Sequence, residues 1–178
     1  MFKKLAVAAT LATMSCSAFA GSFYVGPSIT LNNVTSSDAS YRGVAPKMSL
    51  GFGDMLSSTF YMGAELNATP GSILIQNNYT SGSNENVRTT ASYGADLIPG
   101  IKLNDSSMIY GRLGAVNTNF TAQDKHVWGA QAGVGIQTAL SQDWDIRGEY
   151  DFTGYRSISN VGSAKSDSFA IGVIHKFG

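Results

Sequence analysis

The chain has 178 residues, with 12 Lys+Arg balancing 12 Asp+Glu and a single cysteine, Cys16. This length suits one domain. The charge balance excludes the strongly basic surface expected of a nucleic-acid-binding protein, and one cysteine excludes a disulfide framework.

The N-terminus has the pattern of a secretion signal. Two lysines precede an apolar run (residues 5–14), and an Ala-Phe-Ala cleavage pattern ends at residue 20. The run is too short to span a bilayer as a helix. We therefore expect residues 1–20 to be removed and residues 21–178 to form one domain, with 10 basic side chains (12 less Lys3 and Lys4) against 12 acidic ones.

After the signal, the sequence alternates between apolar and polar or small residues with a period of two, which predicts β-strands. In chain order, the predicted strands are residues 23–31, 43–53, 59–67, 87–103, 107–117, 126–140, 143–155 and 167–177. In the last strand the large apolar residues share one face and the small or charged residues share the other. The two faces carry Phe169, Ile171, Val173 and Phe177, and Ala170, Gly172 and Lys176. In an exported chain, this pattern is typical of a strand with lipid outside and a narrow lumen inside.

The predicted connections alternate in length. Residues 54–58, 104–106 and 141–142 form short links, and residues 35–42, 68–86, 118–125 and 156–166 form longer polar links. Alternate short and long links join antiparallel neighbours in a meander. We therefore predict an all-β fold, an eight-stranded antiparallel up-and-down transmembrane β-barrel, with short turns in the periplasm and loops outside the cell.

Aromatic residues of the apolar faces sort towards the strand ends. The predicted periplasmic belt contains Phe23, Phe52, Phe60, Trp144 and Phe177, and the opposite end carries Trp128, Phe152 and Phe169. Aromatic rings are favoured at the headgroup level of a bilayer. The alternative, a soluble sandwich with these rings in its core, predicts no such sorting.

Three prolines, Pro27, Pro46 and Pro99, fall in or near predicted strands. A closed barrel has no free edge, so each proline removes a hydrogen bond between strands. We expect Pro99-Gly100 to form a bulge near the periplasmic rim.

The predicted inward faces collect ionisable residues of both signs. They are Lys47, Glu65, Asp96, Lys102, Arg112, Asp145, Arg147, Glu149, Asp151 and Lys176. Eight strands leave room only for side chains, and enclosed charges must be paired or hydrated. We predict a polar plug of salt bridges centred on Glu65, Arg112, Arg147 and Glu149, with a gated ion path as the alternative.

The sequence gives little support for catalysis. His126 and His175 are the only histidines, and neither has a Ser or Asp at a spacing that suggests a triad. Asp143, Asp145 and Asp151 alternate along a strand and do not follow a calcium-binding loop. We therefore expect no enzyme, no cofactor and no metal site.

The longest predicted link, residues 68–86, is the candidate interaction surface. It is rich in Asn, Ser, Thr and Gly and carries the apolar residues Ile73, Leu74 and Ile75 with Tyr79. Exposed apolar residues on a loop can contact a partner or lipid. A short strand extension of the barrel is the alternative.

The chain resembles the small eight-stranded outer-membrane β-barrels of the OmpA-transmembrane, OmpX and opacity-protein type. The similar stretches are residues 23–26, 109–114, 128–135, 145–151 and 171–177. That family usually ends on an aromatic residue that the outer-membrane assembly machinery reads, whereas here Gly178 follows Phe177.

The resemblance implies a monomeric barrel in the outer membrane of a Gram-negative cell. The partners it implies are outer-membrane lipid and lipopolysaccharide, the assembly machinery during biogenesis, and a host or surface ligand bound through the loops. Relatives serve as surface structural proteins, adhesins or immune-evasion factors, and the fold does not choose among these roles. A narrow ion-conducting pore, a lipid-modifying enzyme and a soluble barrel that binds a small ligand are the alternatives.

Overall fold

The computed structural model describes residues 21–36, 39–71, 73–78, 89–120, 125–155 and 165–177. The predicted signal peptide therefore lies outside the described residues. The described chain is built of nine strands and contains no helix long and apolar enough to cross a membrane. The strands are β1 (Ser22–Ser36), β2 (Ala39–Met55), β3 (Phe60–Thr69), β4 (Ile73–Asn78), β5 (Thr89–Lys102), β6 (Ser107–Phe120), β7 (Lys125–Ala139), β8 (Trp144–Tyr155) and β9 (Lys165–Phe177).

Eight of these strands close into a ring. Each pairs antiparallel with its neighbours in the order β1-β2-β3-β5-β6-β7-β8-β9, and β9 pairs with β1. The short turns at residues 56–59, 103–106 and 140–143 all lie at one end of the ring, here called the turn end, and the opposite end is called the loop end. The predicted eight-stranded antiparallel barrel is confirmed.

The strand register staggers as it passes around the barrel. A walk from Tyr24 through successive cross-strand partners returns to β1 at Val34, ten residues further along the strand. Such a stagger tilts the strands against the barrel axis and closes eight strands around a lumen filled by side chains. Residues far apart in sequence are thereby brought to one level of the lumen.

The polarity of the two faces is the reverse of that of a soluble protein. Large apolar side chains such as Leu50 (61% exposed) and Leu66 (63% exposed) point outwards, whereas charged side chains such as Arg112 (1% exposed) are buried inside. Buried charges and large exposed apolar patches are uncommon in soluble domains. The outer surface is therefore suited to lipid.

Strand β4 continues β3 after a break. Both strands pair antiparallel with β2. Ala68 pairs with Met48 and Ile73 pairs with Val44, so four residues (69–72) lie opposite three residues of β2 (45–47), and the break contains one extra residue. The break falls at Pro70, which has no N–H to donate, and at Gly71, whose φ is 156°. The backbone of residues 73–78 thus forms a strand that extends the barrel, which was the alternative to a loop in the sequence analysis.

The predicted link at residues 35–42 was wrong. Strand β1 runs to Ser36 and β2 begins at Ala39, so only residues 37 and 38 separate them. Apolar alternation ends at Leu31 and Val44, but the strands continue to pair through Asn33 and Arg42. A strand that leaves lipid keeps its hydrogen bonds while its outward side chains become polar, so hydrophobic periodicity underestimates its length.

The predicted bulge at Pro99-Gly100 was also wrong. The β5–β6 register is the same on both sides of this proline, although residues 98 and 99 form no pair with β6. Pro27 has the same effect on the closing seam, where residues 26 and 27 form no pair with β9 in an otherwise constant register. Each proline removes a donor without inserting a residue, which opens the ladder locally and leaves the register intact.

Candidate functional site

The centre of the lumen is organised by Arg112 on β6. Its Nη2 lies 2.6 Å from Glu65 Oε1 and 2.6 Å from Glu149 Oε1, and its Nη1 lies 2.7 Å from Asp96 Oδ2. Its Nε lies 3.5 Å from Asp151 Oδ1. One guanidinium thus gathers carboxylates from β3, β5 and β8.

Arg147 on β8 forms the next level towards the turn end. Its Nη1 lies 2.6 Å from Glu65 Oε2, and its guanidinium carbon lies 5.1 Å and 5.2 Å from the ring centroids of Tyr24 and Tyr110. The Nε and Nη2 atoms donate to Gln137 Oε1 at 3.1 Å and 2.8 Å. The cation is therefore held by a carboxylate, an amide and two aromatic faces.

Two tyrosine hydroxyls complete the hydrogen bonding of these carboxylates. Tyr24 Oη donates to Glu65 Oε2 at 2.9 Å, and Tyr110 Oη donates to Glu149 Oε1 at 2.7 Å. Sequence reasoning missed both tyrosines. A signal was present, since the cross-strand partners of Tyr24 and Tyr110 are Gly51 and Gly135, where an added Cβ would overlap the rings.

Towards the loop end, Lys47 on β2 closes the network. Its Nζ lies 3.2 Å from Glu149 Oε2 and 3.3 Å from Asp151 Oδ2. Asn67 Nδ2 donates to Asp96 Oδ2 at 2.5 Å. Arg112, Arg147 and Lys47 therefore link the strands across the lumen at three successive levels.

The remaining predicted charges lie nearer the turn end. Lys176 Nζ lies 2.8 Å from Asp145 Oδ1, and Gln137 Nε2 donates to Asp145 Oδ2 at 2.5 Å. Lys102 is apart from the central network, because it is half-exposed and pairs with Asp105 in the turn at 2.9 Å. Its ammonium holds the pKa of the Asp105 carboxyl below the usual range, through a hydrogen bond and charge attraction.

This arrangement closes the lumen with paired charges. Removing one partner of a buried pair typically costs about 3–5 kcal/mol, because the other charge is left uncompensated. An ion crossing the barrel would have to separate such pairs at the levels of both Arg112 and Arg147. The geometry is therefore that of paired charges that cross the lumen between opposite strands.

The predicted belt at the turn end forms a continuous band of rings over four strands. The Phe23 and Phe52 centroids are 5.0 Å apart, and Phe177 is the cross-strand partner of Phe23. Sequence reasoning missed that His175 lies between Trp144 and Phe177, with centroid distances of 4.5 Å and 4.6 Å. The fifth predicted member, Phe60, lies on β3, is exposed and pairs with Ile101.

Rings also occupy the outer face near the loop end. Trp128, Phe152 and Phe169 are exposed there, as the sequence predicted, and Tyr93 meets Trp128 edge-on at 6.5 Å. Tyr150, which was also missed, donates its hydroxyl to Asp167 Oδ1 at 2.6 Å. Amphipathic rings at both ends of an apolar surface suit the two interfaces of a bilayer.

The other candidate residues make no catalytic arrangement in the described part of the chain. His126 Nδ1 lies 3.1 Å from Asn117 Oδ1, and His175 Nδ1 lies 3.3 Å from the Asp143 carbonyl oxygen. Among the described residues, no three His, Cys, Asp or Glu side chains are arranged to hold a metal ion. The backbone of Ile73, Leu74 and Ile75 lies in β4, while their side chains and Tyr79 lie outside what is described.

A closed eight-stranded barrel with a charged plug, an apolar outer face and two belts of rings defines an outer-membrane β-barrel protein. Residues 5–177 match the outer membrane protein beta-barrel domain family, and the chain belongs to this family. The protein therefore resides in the outer membrane. No curated relative matches the chain.

Several solved structures share the fold. Neisserial surface protein A is 19% identical with a TM-score of 0.63, over 89% of this chain and 100% of its own. Ail, the attachment invasion locus protein of Yersinia pestis, is 14% identical with a TM-score of 0.54, over 88% of this chain and 97% of its own. OprG from Pseudomonas aeruginosa is 16% identical with a TM-score of 0.50, over 89% and 96%.

Proposed function

We propose that the protein is a surface-exposed barrel with a structural role or an adhesive, host-interacting role. In either role it acts through its extracellular loop end. It is neither a channel nor an enzyme. The observation that carries this proposal is the contrast between the two parts of the barrel. The lumen is closed by buried ion pairs around Arg112 and Arg147. The strands, by contrast, continue well beyond the apolar band at the loop end.

The projection is largest at the β1–β2 hairpin. These strands have 15 and 17 residues, whereas about 9–11 residues suffice to cross a bilayer. Beyond Leu31 and Val44, the outward positions carry Asn33 and Arg42, which are cross-strand partners. This polar hairpin is suited to water and to a partner outside the cell.

A host-surface ligand is supported by one of the similar structures. Ail has been crystallised in complex with the heparin analogue sucrose octasulfate, and that structure is 16% identical to this chain with a TM-score of 0.56. In this chain, Arg42 on β2 and Lys165 on β9 are both exposed on strands that flank β1 at the loop end. Two such cations would favour a sulfated polysaccharide, so heparin is the first probe.

The test uses the folded barrel displayed in outer membranes, with binding to immobilised heparin and to host cells measured for three variants. Replacing residues 73–86 by a short Gly/Ser turn, or combining Arg42→Ala with Lys165→Ala, should reduce binding at least tenfold. The control Lys102→Ala lies at the periplasmic rim and should bind like the wild type. Each variant must keep the boiling-dependent shift in SDS electrophoresis that reports a folded barrel.

Unchanged binding in both loop-end variants would contradict the adhesive role and leave the structural one. Discrete conductance steps of the wild-type barrel in planar bilayers would contradict the plug and favour the pore. A lipid-modifying activity lost in His126→Ala or His175→Ala, with the fold intact, would contradict the non-enzymatic assignment.

A further inference from the structure

The seam between β1 and β9 leaves one backbone carbonyl without its usual donor. The register is the same on both sides of the gap and places Pro27 opposite Val173. The N–H of Lys176 donates to the Asp143 carbonyl oxygen, on the β8 side of β9. Because the backbone groups of successive residues in a strand point alternately to its two neighbours, the N–H and C=O of Val173 point to β1. They face Pro27, which has no N–H to donate, so the Val173 carbonyl oxygen lacks the donor that the ladder would supply.

This carbonyl lies at the depth of the hydrocarbon core. Pro27 is midway along β1 between Phe23, in the belt at the turn end, and Leu31, the last apolar outward residue of the strand. The core of a bilayer holds no water to satisfy a backbone group, and an unpaired group is costly there. A partner for the Val173 carbonyl oxygen must therefore come from within the barrel.

A small cavity adjoins the gap on the lumen side. Its walls include Gly26, Pro27, Ser28 and Val173 of the seam, and Ser49, Arg147 and Glu149 of the lumen. It has about 10 Å³ of room for the centre of a water molecule, and about 10–15 Å³ of such room is needed to hold one. The cavity is therefore of the size that holds one water molecule.

Two oxygens of this cavity lie within reach of one water. A Cβ added at Gly26 would lie 2.6 Å from Ser49 Oγ and 3.6 Å from the Val173 carbonyl oxygen. These two distances together set an upper limit on the separation of the oxygens, and two hydrogen bonds of about 2.8 Å through a water span nearly the same length. Ser49 is 5% exposed, and its hydroxyl donates to the Gly26 carbonyl oxygen at 3.1 Å, which leaves the lone pairs of Oγ to accept.

We propose that this cavity binds a single structural water, which donates one hydrogen bond to the Val173 carbonyl oxygen and the other to Ser49 Oγ. The water supplies the donor that Pro27 lacks, and it links β9 to β2 across β1 at the middle of the bilayer. Arg147 and Glu149 form the lumen wall of the same cavity, so the central ion pairs enclose the water from inside. This role in the barrel wall is independent of any partner bound at the loop end.

The experiment measures magnetisation transfer from water to the protons of the gap by NMR on the isotope-labelled, detergent-folded barrel. The Gly26 Hα protons and the Val173 amide proton border the cavity. In the wild type, both should show cross-peaks to water with the sign of a molecule that stays bound long enough to tumble with the protein.

Two variants and a control identify the source of these cross-peaks. Pro27→Val supplies an N–H to the Val173 carbonyl oxygen and should abolish them. The matched control Pro99→Val removes the proline of the other gap, between β5 and β6, and should leave them unchanged. Ser49→Ala removes one of the two partners of the water but not the unpaired carbonyl, so the cross-peaks should persist at reduced intensity.

A wild-type barrel without water cross-peaks at Gly26 and Val173 would overturn the proposal. Cross-peaks at full intensity in Pro27→Val would also overturn it, because the bound water would then not serve the Val173 carbonyl oxygen. Their complete loss in Ser49→Ala would show that exchange of the Ser49 hydroxyl proton with solvent had produced the signal. This third outcome remains decisive if Pro27→Val does not fold.

Discussion

Arg147 and Glu65 form an ion pair across the full width of the barrel. Nη1 of Arg147 lies 2.6 Å from Oε2 of Glu65, and their strands, β8 and β3, stand opposite each other in the ring. A pair in this position ties the two halves of the barrel together and blocks the lumen at the same level.

Breaking this pair should destabilise the barrel strongly. Glu65→Gln removes the closer carboxylate of the buried Arg147, which keeps only Glu149 at 3.5 Å, and we expect a loss of about 3–5 kcal/mol in the free energy of unfolding. Urea-induced unfolding in lipid or detergent measures the loss. The control Asp105→Asn breaks an exposed pair with Lys102 and should leave the unfolding midpoint unchanged. Similar midpoints for the two variants would contradict a structural role for the plug.

The packing of the Tyr110 ring against Gly135 leads to a second prediction. A side chain at Gly135 would overlap the Tyr110 ring, whereas at Gly148 on the outer face a Cβ meets only Ile136 Cγ2, at 3.9 Å. Gly135→Val should therefore lower stability by roughly 1–3 kcal/mol or more through overpacking, and Gly148→Val should not. Refolding yield, read from the boiling-dependent band shift, compares the two. Equal yields would mean that the Tyr110 ring moves aside at little cost.

The seam between β1 and β9 should be the weak point of the ring near Pro27. Residues 26 and 27 form no pair with β9, because Pro27 has no N–H. Pro27→Val restores the missing donor, and we expect hydrogen exchange at Val173 and Ile174 to slow by roughly tenfold. The analogous gap beside Pro99 serves as the internal control and should not change. Exchange at the seam that is already slow in the wild type would contradict the prediction.

The two tryptophans should report opposite interfaces of the bilayer. Trp144 lies in the belt at the turn end, and Trp128 lies near the loop end. In single-tryptophan variants made with Trp128→Phe or Trp144→Phe, lipids brominated near the headgroup should quench each fluorescence more than lipids brominated near the acyl terminus. Stronger quenching from the acyl terminus for either tryptophan would place its ring near the bilayer centre and contradict the belt.

The sequence pattern predicted which charged side chains point into the lumen, but it did not predict which of them contact each other. The alternation along β8 placed Arg147, Glu149 and Asp151 inside, because successive side chains of a strand point to opposite faces. The same pattern put Lys102 with them, yet it reaches the turn and pairs with Asp105. Alternation assigns a face but not a depth, so it does not separate the rim from the centre.

The sequence by itself determined the eight strands of the ring, the face to which their residues point and the two aromatic belts, because period-two alternation and short turns are local properties of the chain. Only the tertiary structure decided which charges meet. Arg112 finds its carboxylates on β3, β5 and β8, and the carboxylate oxygens beside Gly114 and Gly133 come from β5 and β8. These contacts depend on the ten-residue stagger of the closed ring, which cannot be predicted from the sequence of any single strand.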